Sequence, residues 1–297
     1  MPKNRNSRNI HRLIQNIRMS ILVLVFVTVV STAQSIYYRD RARIDFVSVG
    51  QGDGTLITTP GGRHILIDAG SYFNNNPEKS IMSDYLLKNG VWSLDIVIVS
   101  HYHADHYGGL LGILQKYNTK IVFLPLPQTK EELDISNQLA QSLKNRSTKI
   151  FFMKVDESVE LGENIDLSLL YYDTSSRDTN DRSLIIAFRC YDTKVLFTGD
   201  ITFWAEDNIL RDVNKPRLRC DIIKVAHHGS KYSSSDEFYE ASAPSYSVVQ
   251  VGNNMYGHPA DETLVRIGAA SEVYRTDENG TITFYINREG ITVRKLY

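Results

Sequence analysis

Residues 100–109 read Ser100-His101-Tyr102-His103-Ala104-Asp105-His106-Tyr107-Gly108-Gly109. Four potential metal ligands, His101, His103, Asp105 and His106, fall within six residues. The run follows Ile96-Val97-Ile98-Val99, a β-branched stretch that predicts a buried strand over 95–100. It precedes residues 107–116, which read as a helix. Imidazoles suit zinc and other borderline divalent ions, and carboxylates suit harder ones. In a loop, His101 and His103 can point the same way, while Asp105 and His106 fall half a turn later and can reach a second ion. One short loop can thereby feed two adjacent metals, and Gly108-Gly109 lets the helix start close to them. Surface histidines unrelated to metal are the alternative, and they leave this assembly at one strand end unexplained.

Working outward, further ligand types stand at strand ends. Val195-Leu196-Phe197-Thr198-Gly199-Asp200 puts a carboxylate past a strand expected over 194–198, where it could bridge two ions or serve as a turn residue. Ile222-Ile223-Lys224-Val225-Ala226-His227-His228-Gly229-Ser230 puts a histidine pair past a strand over 221–226. Ile65-Leu66-Ile67-Asp68-Ala69-Gly70 ends a third strand on a carboxylate. Convergent polar groups at strand ends are where α/β sheets build sites. Asp68 reads as an acceptor that holds the ligand loops in place.

The remaining pattern alternates short strands with helices. Strands are expected over 44–49, 55–58, 64–68, 120–124, 150–155, 165–172, 183–190 and 246–251. Helices are expected over 79–87 after Pro77, 129–144 with Leu133, Leu139 and Leu143 on one face, 204–213, 236–242 and 260–269. Residues 281–285 and 291–296 form a closing hairpin. Grouped strands with helices between them predict an α/β fold of two mixed sheets with helices outside. The chain is 42% hydrophobic and 23% charged, which excludes disordered and collagen-like classes. A net charge of −1 demands no polyanionic partner, although a local basic patch is compatible with it. Cys190 and Cys220 lack Cys-x-x-Cys spacing, which argues against a thiolate zinc site; they read as buried thiols, with a disulfide left open.

The N-terminus carries an address. Residues 1–18 hold Lys3, Arg5, Arg8, Arg12 and Arg18 and no acid, and an apolar run follows over 19–36. The run is a single transmembrane anchor or a signal peptide, with Ser31-Thr32-Ala33 as a cleavage site. The long basic flank favours an anchor whose basic end stays cytoplasmic. Either way, residues 44–297, read as one domain, lie outside the cytoplasmic membrane, membrane-bound or secreted.

His101-x-His103-x-Asp105-His106, then Gly199-Asp200, then His228 resembles the metallo-β-lactamase superfamily, in order and spacing. The finer resemblance is to the extracytoplasmic domain of ComEC-type competence proteins. It rests on Phe46-Val47-Ser48-Val49-Gly50-Gln51-Gly52-Asp53-Gly54, Asn180-Asp181-Arg182-Ser183, the His227-His228-Gly229-Ser230 run and Tyr256-Gly257-His258-Pro259. The resemblance implies an αββα sandwich holding two divalent ions, zinc or manganese, at one edge. It places His101 and His103 on the first metal, and Asp105, His106 and His228 on the second, with Asp200 bridging. Two such ions can hold a hydroxide at neutral pH. Asp105, His227 and His258 are the candidate catalytic residues, with His258 donating a proton or holding a phosphate. Asp68, Asn180, Ser183 and Ser230 would support the ligands. The superfamily's usual third histidine is missing, because none lies between 107 and 226. Asn180, Asp181 or Ser183 stands there instead, so the first site is oxygen-filled, weaker or empty. ComEC-type proteins carry many spans and this chain one at most, so the channel itself is not expected here.

The expected activity is a metal-dependent phosphodiesterase or nuclease acting on a phosphodiester such as single-stranded DNA. Lys215, Arg217, Arg219, Lys224 and Lys231 are candidates to steer phosphates, and Tyr232 and Tyr256 to stack bases. The alternatives are a hydrolase of another ester, thioester or lactam, or a non-catalytic accessory module.

Overall fold

The computed structural model describes residues 4–38, 40–71, 79–144 and 147–295. Lys3, Pro77 and Leu296, on which expectations fell, lie outside them. The chain opens with α1 (Asn4–Tyr38). Next come β1 (Ala42–Phe46), β2 (Thr55–Thr58), β3 (His64–Ile67), α2 (Ile81–Lys88), β4 (Ser93–Ile98), α3 (Ala104–Lys116), β5 (Asn118–Leu124), α4 (Lys130–Gln141) and β6 (Lys149–Phe152). The second half holds β7 (Ser158–Gly162), β8 (Ile165–Tyr171), β9 (Ile185–Cys190), β10 (Thr193–Phe197), α5 (Phe203–Asp212), β11 (Ile222–Lys224), α6 (Asp236–Ser242), β12 (Tyr246–Val249), α7 (Asp261–Ala270), β13 (Glu272–Arg275) and α8 (Thr276–Asn279). A hairpin, β14 (Ile282–Asn287) and β15 (Gly290–Lys295), closes it.

Among the described residues one sheet runs β15-β14-β1-β2-β3-β4-β5-β6 and the other β13-β12-β11-β10-β9-β8-β7. Both are mixed. β3 to β6 are parallel, as are β10 to β13, and their neighbours are antiparallel. Period-two alternation assigns each strand two faces. Ile96 and Ile98 of β4 join Leu167, Ile186, Phe188 and Val195 in a core between the sheets. Val97 and Val99 turn outward onto Leu110, Ile113 and Leu139 of α3 and α4. Across the sandwich, Leu196 and Ile223 meet Ile209, Phe238 and Ile267 of α5, α6 and α7. The result is the expected αββα arrangement.

Local chemistry sets the helix starts. Ser80 caps α2 by accepting the Ser83 N–H, and Thr129 and Glu132 form a reciprocal capping box on α4. Two expectations need correction. α3 begins at Ala104, so Asp105 and His106 sit in its first turn rather than in the loop before it. On α4, Leu133 is half exposed, and Ile135 and Leu139 make the core contact. The edge strand β7 and the short β13 had no clear sequence signal, because most of their residues are exposed or only half buried. Cys190 lies between the sheets and Cys220 in the outer core, and both thiols are free. Burial pushes the Cys190 thiol up to about 12.

Along α1, Arg12–Ala33 is long and apolar enough to cross a bilayer, by length and composition. Its described side chains, over 12–33, are exposed.

Candidate metal centre

The C-terminal ends of β3 and β4 in one sheet and of β10 and β11 in the other meet at one edge of the sandwich. Backbone bonds bind the segments there. Asp53 N–H donates to the Asp105 carbonyl at 3.1 Å, Ala69 N–H to that of His106 at 2.8 Å, and His227 N–H to that of Gly199 at 3.1 Å. Gly52, at φ +127°, comes so close to α3 that a Cβ there would lie 2.1 Å from the Asp105 carbonyl oxygen. Gly109 makes a similar approach to Ala69, at 2.4 Å. That glycine therefore serves the packing of α3 onto the end of β3. After β11, His227 (φ 49°), His228 (φ 52°) and Gly229 (φ 79°) are left-handed in succession and turn the chain sharply. Such residues are costly outside glycine.

The three inner imidazoles share one orientation. His106 Nδ1 lies 2.9 Å from Asp68 Oδ2, His228 Nδ1 lies 2.8 Å from the Gln250 carbonyl, and His101 Nδ1 lies 3.1 Å from Ser100 Oγ. Asp68 also accepts the Ser100 N–H at 2.8 Å and its O–H at 2.6 Å. The Nε2 atoms of all three rings are buried without a hydrogen-bond partner. They face Asp200 Oδ2 at 3.9 Å (His101), 3.2 Å (His106) and 3.4 Å (His228). Asp105 Oδ2 lies 3.3 Å from His228 Nε2. Buried polar atoms are nearly always satisfied, so three orphaned ring nitrogens around one carboxylate oxygen fit a cation as their missing partner. Among the described residues, two groupings bring three ligand atoms within 4.8 Å of one another: His101–His106–Asp200 and Asp53–His106–His228.

Opposite charges face one another across the centre. Burial opposes ionisation throughout, but His106, His228 and Lys224 together hold Asp200 well below the usual carboxylate range. Against burial, Asp200 and Asp53 keep His106 well above 6.5, and Asp200, Asp105 and Asp53 do the same for His228. Burial, reinforced by His106, holds His101 well below.

Asp53 and Lys224 belong to this centre and were not recognised as such in the sequence. The Lys224 ammonium pairs with Asp53, lies 3.3 Å from Asp200 Oδ1 and donates to the Gly199 carbonyl at 2.8 Å. Its assignment as a phosphate-steering residue is therefore corrected, since it is 1% exposed. A charge inside the apolar run Ile222-Ile223-Lys224-Val225 was the signal that could have found it. Lys215, Arg217 and Arg219 precede β11 and enter its opposite end.

The other expected residues are placed as follows. Ser183 Oγ accepts the Asp200 N–H at 3.0 Å. The Asn180 carbonyl accepts the Ser183 N–H at 3.0 Å, and its side-chain oxygen is buried without a hydrogen bond. Ser230 braces the turn after His228, its carbonyl accepting the Thr263 O–H at 2.9 Å. His103 is exposed at the mouth, its ring 4.8 Å from that of His101. His227 leads outward, its ring 5.3 Å from that of His258, which stacks on Tyr256 at 5.9 Å. Burial, with His227 and His228 beside it, pushes His258 down to about 4. Tyr232 and Tyr256 are 61% and 76% exposed, with Lys231 over one ring and His258 stacked on the other.

The sequence pattern of the metallo-beta-lactamase superfamily matches residues 47–252. The chain is 27% identical over 272 residues to ComE operon protein 3 of Bacillus subtilis, covering 84% of this chain and 34% of that one. It is 26% identical over 276 residues to competence protein ComA of Neisseria gonorrhoeae, covering 92% and 36%. It thus spans about a third of the length of these relatives. Among solved structures, CmlA, a diiron beta-hydroxylase from Streptomyces venezuelae, aligns with a TM-score of 0.53 at 14% identity. That alignment covers 86% of this chain and 54% of CmlA, a likeness of fold.

Proposed function

Since the chain belongs to the metallo-beta-lactamase superfamily, we propose that it is a metal-dependent phosphodiesterase whose substrate is single-stranded DNA. The observation that carries metal dependence is the convergence of three orphaned Nε2 atoms on Asp200 Oδ2. The choice of DNA draws on the competence proteins among its relatives. Of the residues at the centre, His101, Asp105, His106, Asp200 and His228 would hold the metal, with His103 at the exposed edge of a second position. Zinc or manganese held there would supply Lewis-acid activation of water and neutralise charge on the phosphoryl oxygens. Asp68, Ser100 and Ser183 fix the ligand rings and Asp200 in place. His227 and His258 are held neutral near pH 7 and offer ring N–H groups to an anionic substrate at the mouth. Tyr256 and Tyr232 each give a base an open π-face, and Lys231 adds charge beside Tyr232.

α1 anchors the chain in this reading, its basic N-terminal end in the cytoplasm and the hydrolase domain outside. The apolar 22 residues Arg12–Ala33 span about 33 Å as helix, close to the hydrocarbon thickness of a bilayer.

The test uses the full chain in detergent with manganese, labelled single-stranded DNA and a bis-aryl phosphate. Cleavage of both is expected, together with loss of at least about a hundredfold in rate for Asp200→Ala. Cleavage of an ester, thioester or lactam with neither phosphodiester touched would refute the substrate assignment. Activity that survives in Asp200→Ala would refute the site.

A further inference from the structure

Lys224 is a charged residue of the centre that offers no ligand atom to a metal, yet it is buried between two carboxylates that face the ligand rings. Burying an ammonium is expensive unless it is paired and hydrogen-bonded, and here three acceptors surround it. If its role were only to neutralise Asp53, one contact would suffice. Instead it also donates to the Gly199 carbonyl and lies 3.3 Å from Asp200 Oδ1, the oxygen turned away from the Nε2 atoms. The backbone N–H of Asp200 is fixed separately by Ser183 Oγ. The carboxylate plane is therefore pinned from behind, and Oδ2 is left facing the three rings. Lys224 also bears on the choice between the two ligand groupings. Asp53 in the Asp53–His106–His228 grouping already carries this ammonium, and a divalent ion would have to share the carboxylate with it. In the His101–His106–Asp200 grouping the same ammonium meets Oδ1, while Oδ2 is the oxygen that faces the ring nitrogens.

We propose that Lys224 is a positioning residue: it clamps Asp200 so that Oδ2 completes the metal site, and by occupying Asp53 it directs the ion to the Nε2 side. This rests on reading Asp200 as a metal-holding residue and is independent of the substrate.

The experiment measures cobalt(II) binding by the full chain in detergent, by titration calorimetry and by the visible absorption of the bound ion, which reports ligand geometry. Lys224→Met is expected to weaken cobalt binding about tenfold or more, to alter the spectrum and to lower thermal stability, since buried Asp53 loses its ammonium and keeps only His106 and His228 beside it. Adding Asp53→Asn removes that under-compensated charge. The double variant should regain stability while keeping the weakened affinity and altered spectrum. If Lys224→Met does not fold, the double variant carries the comparison alone. Return of both affinity and spectrum to those of the unaltered chain in the double variant would mean that Lys224 only neutralises Asp53, and the proposal falls. Unchanged cobalt binding in Lys224→Met sinks it equally. Failure of the unaltered chain to bind cobalt overturns the metal site itself and the proposal with it.

Discussion

Each inner imidazole meets the protein through Nδ1 and turns Nε2 inward, so the hydrogen bond on one nitrogen decides what the other can do. Against burial, Asp200 and the neighbouring carboxylates raise His106 and His228 well above 6.5, whereas burial lowers His101 well below it. The sign of the pH effect follows. Imidazoles with raised values stabilise the metal-free fold fully below their ordinary value of 6.5, and that contribution fades as pH rises through the raised values. A metal must displace those same protons. Metal uptake near pH 7 is therefore expected to release protons and to tighten as pH rises. Calorimetry in buffers of different ionisation enthalpy measures this, and a buffer-independent heat would contradict it. Asp68→Asn replaces the acceptor that orients both Ser100 and the His106 ring. Metal affinity should fall about 10- to 100-fold, while the far-ultraviolet circular dichroism is unchanged.

At the scale of elements, the first turn of α3 is tied to two neighbouring segments. Its carbonyls at Asp105 and His106 accept N–H groups from Asp53 and Ala69, and Gly52 lies against it. A methyl at Gly52 must push Asp105 away and also adopt a left-handed backbone. Gly52→Ala is expected to cost about 1–3 kcal/mol in denaturant unfolding and to weaken metal binding. A variant that unfolds like the unaltered chain would show that this turn yields. The ligand types on these elements were legible because strand ends bearing His and Asp stand out in sequence. The start of α3 was not legible. His103 caps it without a side-chain hydrogen bond, so the usual Ser, Thr, Asp or Asn signal is missing.

At the scale of the molecule, the C-terminal hairpin leaves the second half and seals the first sheet, with β14 antiparallel to β1 and Ile44 opposite Phe284. Phe284 is fully buried and packs edge-on to Phe46 at 5.9 Å and against Tyr274 at 6.0 Å. Phe284→Ala is expected to destabilise the chain by about 3–5 kcal/mol, read from the unfolding midpoint. A loss below about 1 kcal/mol would mean the hairpin is dispensable. The described side chains of α1 lie outside this packing, and Arg12–Ala33 is long and apolar enough to cross a bilayer by length and composition.

Strands grouped in each half with helices between them already pointed, in the sequence, to two mixed sheets with helices outside. The sequence also marked the apolar N-terminal segment and the residue types His101, Asp105, His106, Asp200 and His228, because local runs at strand ends record them. Which atoms of those residues meet, that His103 stays at the exposed mouth, and that Asp53 and Lys224 join the centre became visible in the folded chain alone. Those facts depend on side chains from both sheets, 171 residues apart between Asp53 and Lys224. Such contacts are fixed by how the sheets stack and leave little trace in local pattern.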